Sequence, residues 1–401
     1  MAICRIALQQ NVGGTLELIN LIKRFTHLKC LVHLSTAYAN CDLPKIEEKL
    51  YPVPLDPHKV LEMTTWMPEA TLHKLTVPLI GTKPNTYTFT KHLAETLVVA
   101  ESPVPTAIVR PSIVGASWKE PFPGWIDNLN GPSGCFVGTG KGILRGMLVD
   151  RNWRADIVPV DLPVNLMIAT AWHVAKLSAD HRSFYNCTVD PLNSCTWGKM
   201  DPIVNNFFRE KVPLENVYRT PNCRLAENEI AYKCHSFVGH TLPSFVVDSI
   251  YRLFGWRPRL SHLYTRVEKM VWTLQYFSRN HWEWDRQNAD LLAKEMSPED
   301  LKVFFVSYDS SFSWKSYLED FCLGAKKYLL GEDCSEKRLA ELRVHMKRVR
   351  MAYMAAKLLL AFVVWRYVLP LIKPGVQLKS SIVQLIRFLF NIISRFFLPF
   401  H

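Results

Sequence analysis

Residues 30–36, Cys30-Leu31-Val32-His33-Leu34-Ser35-Thr36, decide the fold. Four of the first five side chains are apolar, and they run almost unbroken instead of alternating with polar ones. A strand with that composition is covered on both faces, as in a parallel sheet. Upstream, Leu16, Ile19, Leu21 and Ile22 recur at helical spacing, which predicts a helix over 11–25. Downstream, an insertion dotted with Pro44, Pro52, Pro54, Pro57, Pro68, Pro78 and Pro84 carries the chain to Tyr87. A second helix is predicted over 90–100, and a second buried strand over 105–109 ends at Arg110-Pro111. Helix, strand, helix, strand is the alternation of a parallel α/β sheet.

The rest of the chain is built differently. Residues 118–150 are rich in glycine and proline, which predicts loops. Their GTGKG core (138–142) invites a phosphate-loop reading, but the spacing fails: Thr139 stands five after Gly134, and Gly142 follows Lys141 where Ser or Thr is needed. From about 240 to 330 the pattern is helical and aromatic, with Trp256, Trp272, Trp282, Trp284 and Trp314. After Glu332 comes a basic helix carrying Lys337, Arg338, Arg343, Lys347, Arg348 and Arg350. Residues 351–372 are then apolar for about the twenty residues a bilayer requires, with Lys357 and Arg366 placed to snorkel. Pro370, Pro374 and Gly375 break that helix. Over 382–400, Gln384, Arg387, Asn391 and Arg395 share one face of an otherwise apolar helix, the pattern of a segment lying in a membrane interface. A membrane hairpin is the alternative.

Composition bounds the function. With 401 residues and 48% hydrophobic side chains, the chain is too long for one small core and too apolar for disorder. The formal charge of +12 gathers beside the apolar tail, which favours a membrane surface over nucleic acid. Ten cysteines include no C-x-x-C pair, so no metal site is expected. The opening MAICRIALQQNVGG has no apolar signal core, which implies a reduced, cytosol-facing globule. The glycosylation sequon Asn186-Cys187-Thr188 then reads as part of a strand.

Tyr87 and Lys91 stand four apart at the start of a predicted helix, on one face. A fixed positive charge there is expected to lower the phenol towards working pH, ready to protonate a carbonyl oxygen as hydride reaches its carbon. Ser35 and Thr36 end a buried strand, where open α/β sheets bind ligands. Either hydroxyl there can stabilise the same oxygen. The second strand ends at Arg110-Pro111-Ser112-Ile113-Val114, in position to line a nicotinamide.

The words NVGGT (11–15), VHLSTAY (32–38), YTFTK (87–91) and VRPSIV (109–114) resemble the extended short-chain dehydrogenase/reductases. PGWIDNLNGPSG (123–134), GKGILR (140–145), IVPVDLPVN (157–165), WEWDRQN (282–288) and SFSWKSYLEDFCLGAKKYLL (311–330) narrow the resemblance to alcohol-forming fatty acyl-CoA reductases of the animal, particularly insect, type. This implies a Rossmann-like reductase domain over 1–225, a helical C-terminal domain over 236–332 and a basic membrane-anchoring tail over 336–401. It also implies NADPH as cofactor and a long-chain acyl-CoA as substrate, reduced through an aldehyde to a primary alcohol.

By the same resemblance Tyr87 is the proton donor, and Lys91 its partner and ribose ligand. Thr36 or Ser35 is the catalytic hydroxyl, with Thr36 preferred. Asn11 supports the proton relay or the cofactor face, and Pro111, Ser112, Ile113 and Val114 contact the nicotinamide. The glycine-rich 124–146 and the aromatic C-terminal domain are expected to line the acyl cleft. Lys141 and Arg145 are open to coenzyme A phosphates or to solvent. The sequence departs from the family in having no G-x-x-G-x-x-G turn before Asn11, so the sheet is expected to lack its first βαβ unit. The competing readings are a sterol-dehydrogenase-like reductase and a non-catalytic lipid-surface protein. The tail and its flanking charges imply a membrane protein, its catalytic domain facing the cytosol, on the endoplasmic reticulum or peroxisome.

Overall fold

The computed structural model describes residues 4–217 and 219–363. Helix α1 (Cys4–Leu8) passes through a π-helical turn (Gln9–Gly13) into α2 (Gly14–Ile22). The helix expected from residue 11 thus begins at Cys4, because Cys4, Leu8 and Val12 extend the apolar stripe of Ile19 and Ile22, all five being buried. After β1 (Leu31–Leu34) and β2 (Lys45–Ile46), the proline-dotted insertion is itself helical: α3 (Pro57–Trp66) and α4 (Glu69–Ile80). Two of its prolines start helices instead of interrupting them. Pro57 occupies the first turn of α3 behind the Asp56 cap, and Pro68 precedes α4. Helix α5 (Thr86–Glu101) is capped by Asn85, whose side chain accepts from the Thr88 N–H. It begins four residues before the expected start, so Tyr87 lies in its first turn.

Next come β3 (Thr106–Pro111), β4 (Ile113–Gly115), α6 (Pro132–Gly140), β5 (Gly146–Leu148), β6 (Ile157–Pro159), α7 (Asp161–Val174), β7 (Arg182–Cys187), α8 (Trp197–Asn206) and β8 (Arg224–Ala226). The stretch 118–150, expected to be loop-rich, also contains the helix α6 and the strand β5. The C-terminal part is α9 (Glu229–Ser236), α10 (Leu242–Leu253), α11 (Leu260–Arg279), β9 (Glu283–Trp284), α12 (Gln287–Glu295), α13 (Pro298–Val303), α14 (Trp314–Gly324) and α15 (Glu336–Val363).

The sheet β1-β3-β7 is parallel throughout, with Leu34 opposite Val109 and Pro111 opposite Cys187. Every residue of the central strand β3 is buried. Ile108 and Phe184 face the helices α1, α2 and α5, packing with Leu8, Ile19, Phe89 and Leu93. Ala107, Val109 and Tyr185 face α7 and α12, packing with Leu162, Leu166, Ala289 and Leu292. Two-sided burial, expected of both apolar runs, holds for β3 alone. β1 is the edge strand of β1-β3-β7: its first three residues are half-buried and Leu34 is 43% exposed, because no strand among the described residues pairs with its outer edge. Shorter parallel pairs, β4 with β6, β2 with β9 and β5 with β8, continue beyond the main sheet.

The C-terminal helical region is not a separate globule. Lys45 and Ile46 pair with Glu283 and Trp284, α12 packs on β7, and α14 packs on α8. Asn186, the sequon asparagine, is fully buried in β7 and donates to the Asp285 carbonyl at 2.8 Å. The basic helix α15 lies against the domain through Leu339, Leu342 and Met346, with Arg338 bonded to Glu215 and His345 to the Val217 carbonyl. Among the described residues no helix is long and apolar enough to cross a membrane. The spanning candidate 351–372 is described only as far as Val363, and 382–400 lies outside the described residues.

Candidate active site

A cavity of about 540 Å³ opens beyond the carboxyl ends of β1 and β3. Thr36, Tyr87, Ser112, Ile113 and Val114 line one part of it. Thr36, two residues after the end of β1, is extended and caps a 3₁₀ turn: its Oγ1 accepts from the Tyr38 N–H at 3.3 Å and donates to the Pro111 carbonyl at 3.5 Å. Tyr87 lines the same cavity beside Thr36. Ser35, one residue earlier, faces the opposite way, against the Glu95 carboxylate, and does not line the cavity. The alternation of side chains along an extended chain thus separates two hydroxyls that were equivalent in the sequence.

The expected effect of Lys91 on Tyr87 is not found. The Lys91 ammonium donates to the Leu34 carbonyl at 3.0 Å, at the end of β1, and does not contribute to the shift of the phenol. Tyr87 keeps 47% of its surface exposed. Desolvation nonetheless pushes its phenol above the ordinary 10, with Thr36 pulling the other way. Burial lowers Lys91, opposed by Glu95. A phenol raised in this way is a proton-holding acid at neutral pH.

Other expected residues are placed less directly. Asn11 donates to Thr90 at 2.9 Å, and the Thr90 hydroxyl reaches the Thr86 and Tyr87 carbonyls. Asn11 therefore braces the turn that carries Tyr87 and does not line the cavity. Pro111 contributes its carbonyl to Thr36, whereas Ser112, Ile113 and Val114 reach the cavity itself. Ser112 Oγ is buried with no hydrogen-bond partner among the described residues. Lys141 is paired with Glu332 and donates to the Glu215 carbonyl at 2.8 Å, so it ties down the chain after α14 and is neither solvated nor directed at a ligand. Arg145 lies behind β5, outside the cavity lining.

The remaining walls are mostly apolar, with Asn85, Asp127, Asn128 and Asn130 among the polar exceptions. Trp125, Ile126, Pro132 and Phe136 come from the glycine-rich stretch, and Leu274 and Phe277 from α11. The tryptophans of WEWDRQN play another part. Tyr38, in the turn that follows Thr36, meets Phe277, Trp282 and Trp284 edge-on at 4.9, 5.4 and 5.6 Å. The Trp282 indole donates to the Cys41 carbonyl at 2.8 Å. These aromatics clamp the turn carrying the hydroxyl.

Sequence reasoning missed two features. Met200 and Val204 of α8, with Cys223 and Leu225, close the far wall, and Asp201 among them is pushed up to about 6 by burial. The spacing of Trp197, Met200 and Val204 along α8 carried that signal. The second is a fully buried ion pair: Arg110 donates to Glu95 at 2.8 and 2.7 Å and to the Lys49 carbonyl at 3.0 Å. Its guanidinium lies 4.7 Å over Phe184.

Two family models match the chain, each described as male sterility protein, over residues 2–167 and 239–332. Fatty acyl-CoA reductase 1 of Xenopus laevis is 42% identical over 364 residues, covering 90% of this chain and 70% of that protein. The human fatty acyl-CoA reductase 1 is 41% identical over 363 residues and the Bos taurus fatty acyl-CoA reductase 2 is 40% identical over 364, with the same shares covered. The chain belongs to the fatty acyl-CoA reductase family. Among solved structures, the reductase domain of a nonribosomal peptide synthetase from Mycobacterium tuberculosis aligns with a TM-score of 0.46 at 13% identity, over 80% of this chain and 65% of that one. Within this family's chain, the word PGWIDNLNGPSG supplies cavity wall from Trp125 to Pro132 and VHLSTAY supplies Thr36.

Proposed function

We propose that this chain reduces long-chain fatty acyl-CoA to primary alcohol through an aldehyde, with NADPH as reductant. The observation that carries it is that Thr36 and Tyr87 line one part of a cavity whose other walls are mostly apolar. An acyl chain gains transfer free energy along such walls while its carbonyl meets the two hydroxyls.

The residues present fit a nicotinamide. Ser112 Oγ is a buried polar atom lacking a partner, and Ile113 and Val114 offer an apolar face beside it. Lys91, at the strand end, is the group to hold a ribose hydroxyl. When bound, the nicotinamide supplies hydride. Thr36 and Tyr87 then orient the carbonyl oxygen, and Tyr87, held in its protonated form, gives that oxygen its proton as negative charge develops. In the first reduction the thioester carbon would gain a hydride, its C–S bond would break and coenzyme A would leave as the thiol, taking up one proton. In the second the aldehyde carbon would gain a second hydride and its oxygen the Tyr87 proton, giving the alcohol, so that two reductants and two protons are consumed. Asn11 steadies the first turn of α5 through Thr90.

The same reading includes attachment to an endoplasmic reticulum or peroxisomal membrane through 351–372 and 382–400, with the catalytic domain on the cytosolic side. Its support is the apolar length of 351–372, the single polar face of 382–400 and the basic cluster before them. NADPH in preference to NADH rests on the family alone, and parallel assays with each settle it. Tyr87→Phe removes one oxygen. Alcohol formation from a long-chain acyl-CoA should fall by about a hundredfold or more, the scale of general-acid catalysis. Near-normal turnover by that variant overturns the assignment.

A further inference from the structure

Behind the acyl cavity lies a second, basic recess. In the pair β5–β8, Met147 stands opposite Leu225, and both face the cavity, as does Cys223. Arg224, between Cys223 and Leu225, faces the other way. There it meets Arg145, Arg219, Asn222, His235 and Tyr353 around an open recess of about 30 Å³. That is room for about two or three waters, or for the terminal oxygens of one small anionic group, but not for a nucleoside.

The arrangement is built by close packing. A side chain at Gly142, which has φ of +68°, would collide with the Arg219 carbonyl at 2.2 Å, and one at Gly239 would touch Arg145 Cβ at 3.0 Å. Both glycines let backbones close in until the arginines converge. Arg145 donates to the Thr220 carbonyl, and Arg219 to the Gly239 carbonyl and the Tyr264 hydroxyl. Neither forms an ion pair with a carboxylate among the described residues. Burial and Arg219 lower Arg145 to about 10, and the two nearby histidines, His235 and His240, are lowered to about 4 by burial and by these arginines. Among the described residues, positive charge is concentrated here with no carboxylate paired to Arg145 or Arg219, at a structural cost that a bound anion would offset. Arginine forks match phosphate oxygens in geometry as well as charge.

We propose that Arg145, Arg219 and Arg224 form a binding site for a phosphate monoester, of which only the terminal phosphate enters the recess. Two sources share that chemistry. One is the 3′-phosphate of coenzyme A, a source that rests on the acyl-CoA reading above. The other is a phosphate-monoester lipid headgroup, which the position of Tyr353 in α15, the helix leading towards the tail, brings near.

Binding is the readout, so the test stands apart from turnover and is run in the Tyr87→Phe background as well as in the native chain. Full-length protein is titrated with inorganic phosphate, coenzyme A and dephospho-coenzyme A at matched ionic strength, and with phosphatidylcholine vesicles with or without phosphatidic acid. Phosphate should raise the melting temperature of the native chain and not of Arg219→Gln. Arg219→Gln and Arg224→Gln should each weaken the physiological ligand by about tenfold or more, as expected for charge-assisted hydrogen bonds. Selective loss of coenzyme A binding over dephospho-coenzyme A names the cofactor source; selective loss of phosphatidic acid binding names the lipid. Should Arg224→Gln fail to fold, Arg219→Gln and Arg219→Lys carry the test. Unchanged binding of all four probes in folded arginine variants overturns the site, whatever the fate of the reductase assay.

Discussion

Replacing Arg110 with leucine would leave the Glu95 carboxyl buried beneath the active site without its ion-pair partner. Both side chains are fully buried, and Arg110 meets the carboxylate through two bonds of 2.8 and 2.7 Å while holding the Glu47 and Lys49 carbonyls. Removing one partner of such a pair costs about 3–5 kcal/mol, because the other charge stays buried. Protonation caps the electrostatic part. Keeping a carboxyl of ordinary value about 4.3 neutral at pH 7 costs about 1.4 kcal/mol for each of roughly 2.7 units, close to 4 kcal/mol. The sign of the pH dependence should invert. In the native chain Arg110 more than offsets burial, so Glu95 lies below the ordinary carboxylate value and stabilises above it, losing that contribution as pH falls. In Arg110→Leu the carboxyl is raised, so its penalty vanishes in acid and grows as pH rises. The double variant Arg110→Leu/Glu95→Leu removes both charges and should recover most of the loss. Urea unfolding followed by tryptophan fluorescence at pH 5 and pH 7 measures all four chains. A single variant costing less than about 1 kcal/mol, or a double variant as unstable as the two singles added, refutes the reasoning.

Gly324 lies so close to Gly124 that a Cβ would sit 1.7 Å from the Gly124 carbonyl oxygen. Gly324→Ala should cost about 1–3 kcal/mol by overpacking and raise KM for acyl-CoA by displacing Trp125 and Ile126, so a normal melting temperature with a normal KM contradicts it. Burial pushes Glu48 up to about 7 although it accepts from the Asn186 and Asn288 N–H groups. Its stabilising contribution is complete below the ordinary carboxylate value and lost as pH rises through 7, so Glu48→Gln should flatten the fall in Tm between pH 5 and 8. Equal slopes in the two chains would discard that account. For the tail, intact protein should stay in membranes through a high-salt wash, and a chain ending at residue 350 should turn soluble; release of the intact protein by salt means that the tail rests on charge alone.

Local pattern carried much of this architecture in advance. The apolar runs at 31–34 and 106–109 read as strands of a parallel sheet from composition and period, and 106–109 is buried between helix layers, whereas 31–34 forms the half-buried edge strand. Tyr87, Lys91 and the Ser35-Thr36 pair were legible as well, because each sits within one helical turn or at one strand end. The helices α3 and α4 were obscured because proline reads as a breaker until its place at a helix start is known. What lay beyond the sequence depends on contacts between distant residues. Thr36 and Ser35 differ only by which face of the chain meets the cavity and which meets Glu95. Tyr87 was expected to be lowered by a neighbour four residues away and is raised by desolvation, a property of everything packed around it. Lys141 finds Glu332 across 191 residues, Arg110 reaches the carbonyls of 47 and 49, and Met200 and Leu225 complete a wall begun by Thr36 and Val114. Periodicity encodes which face of an element is buried; it carries no information about what that face is buried against, and pKa, ion pairing and cavity shape are set by that second quantity.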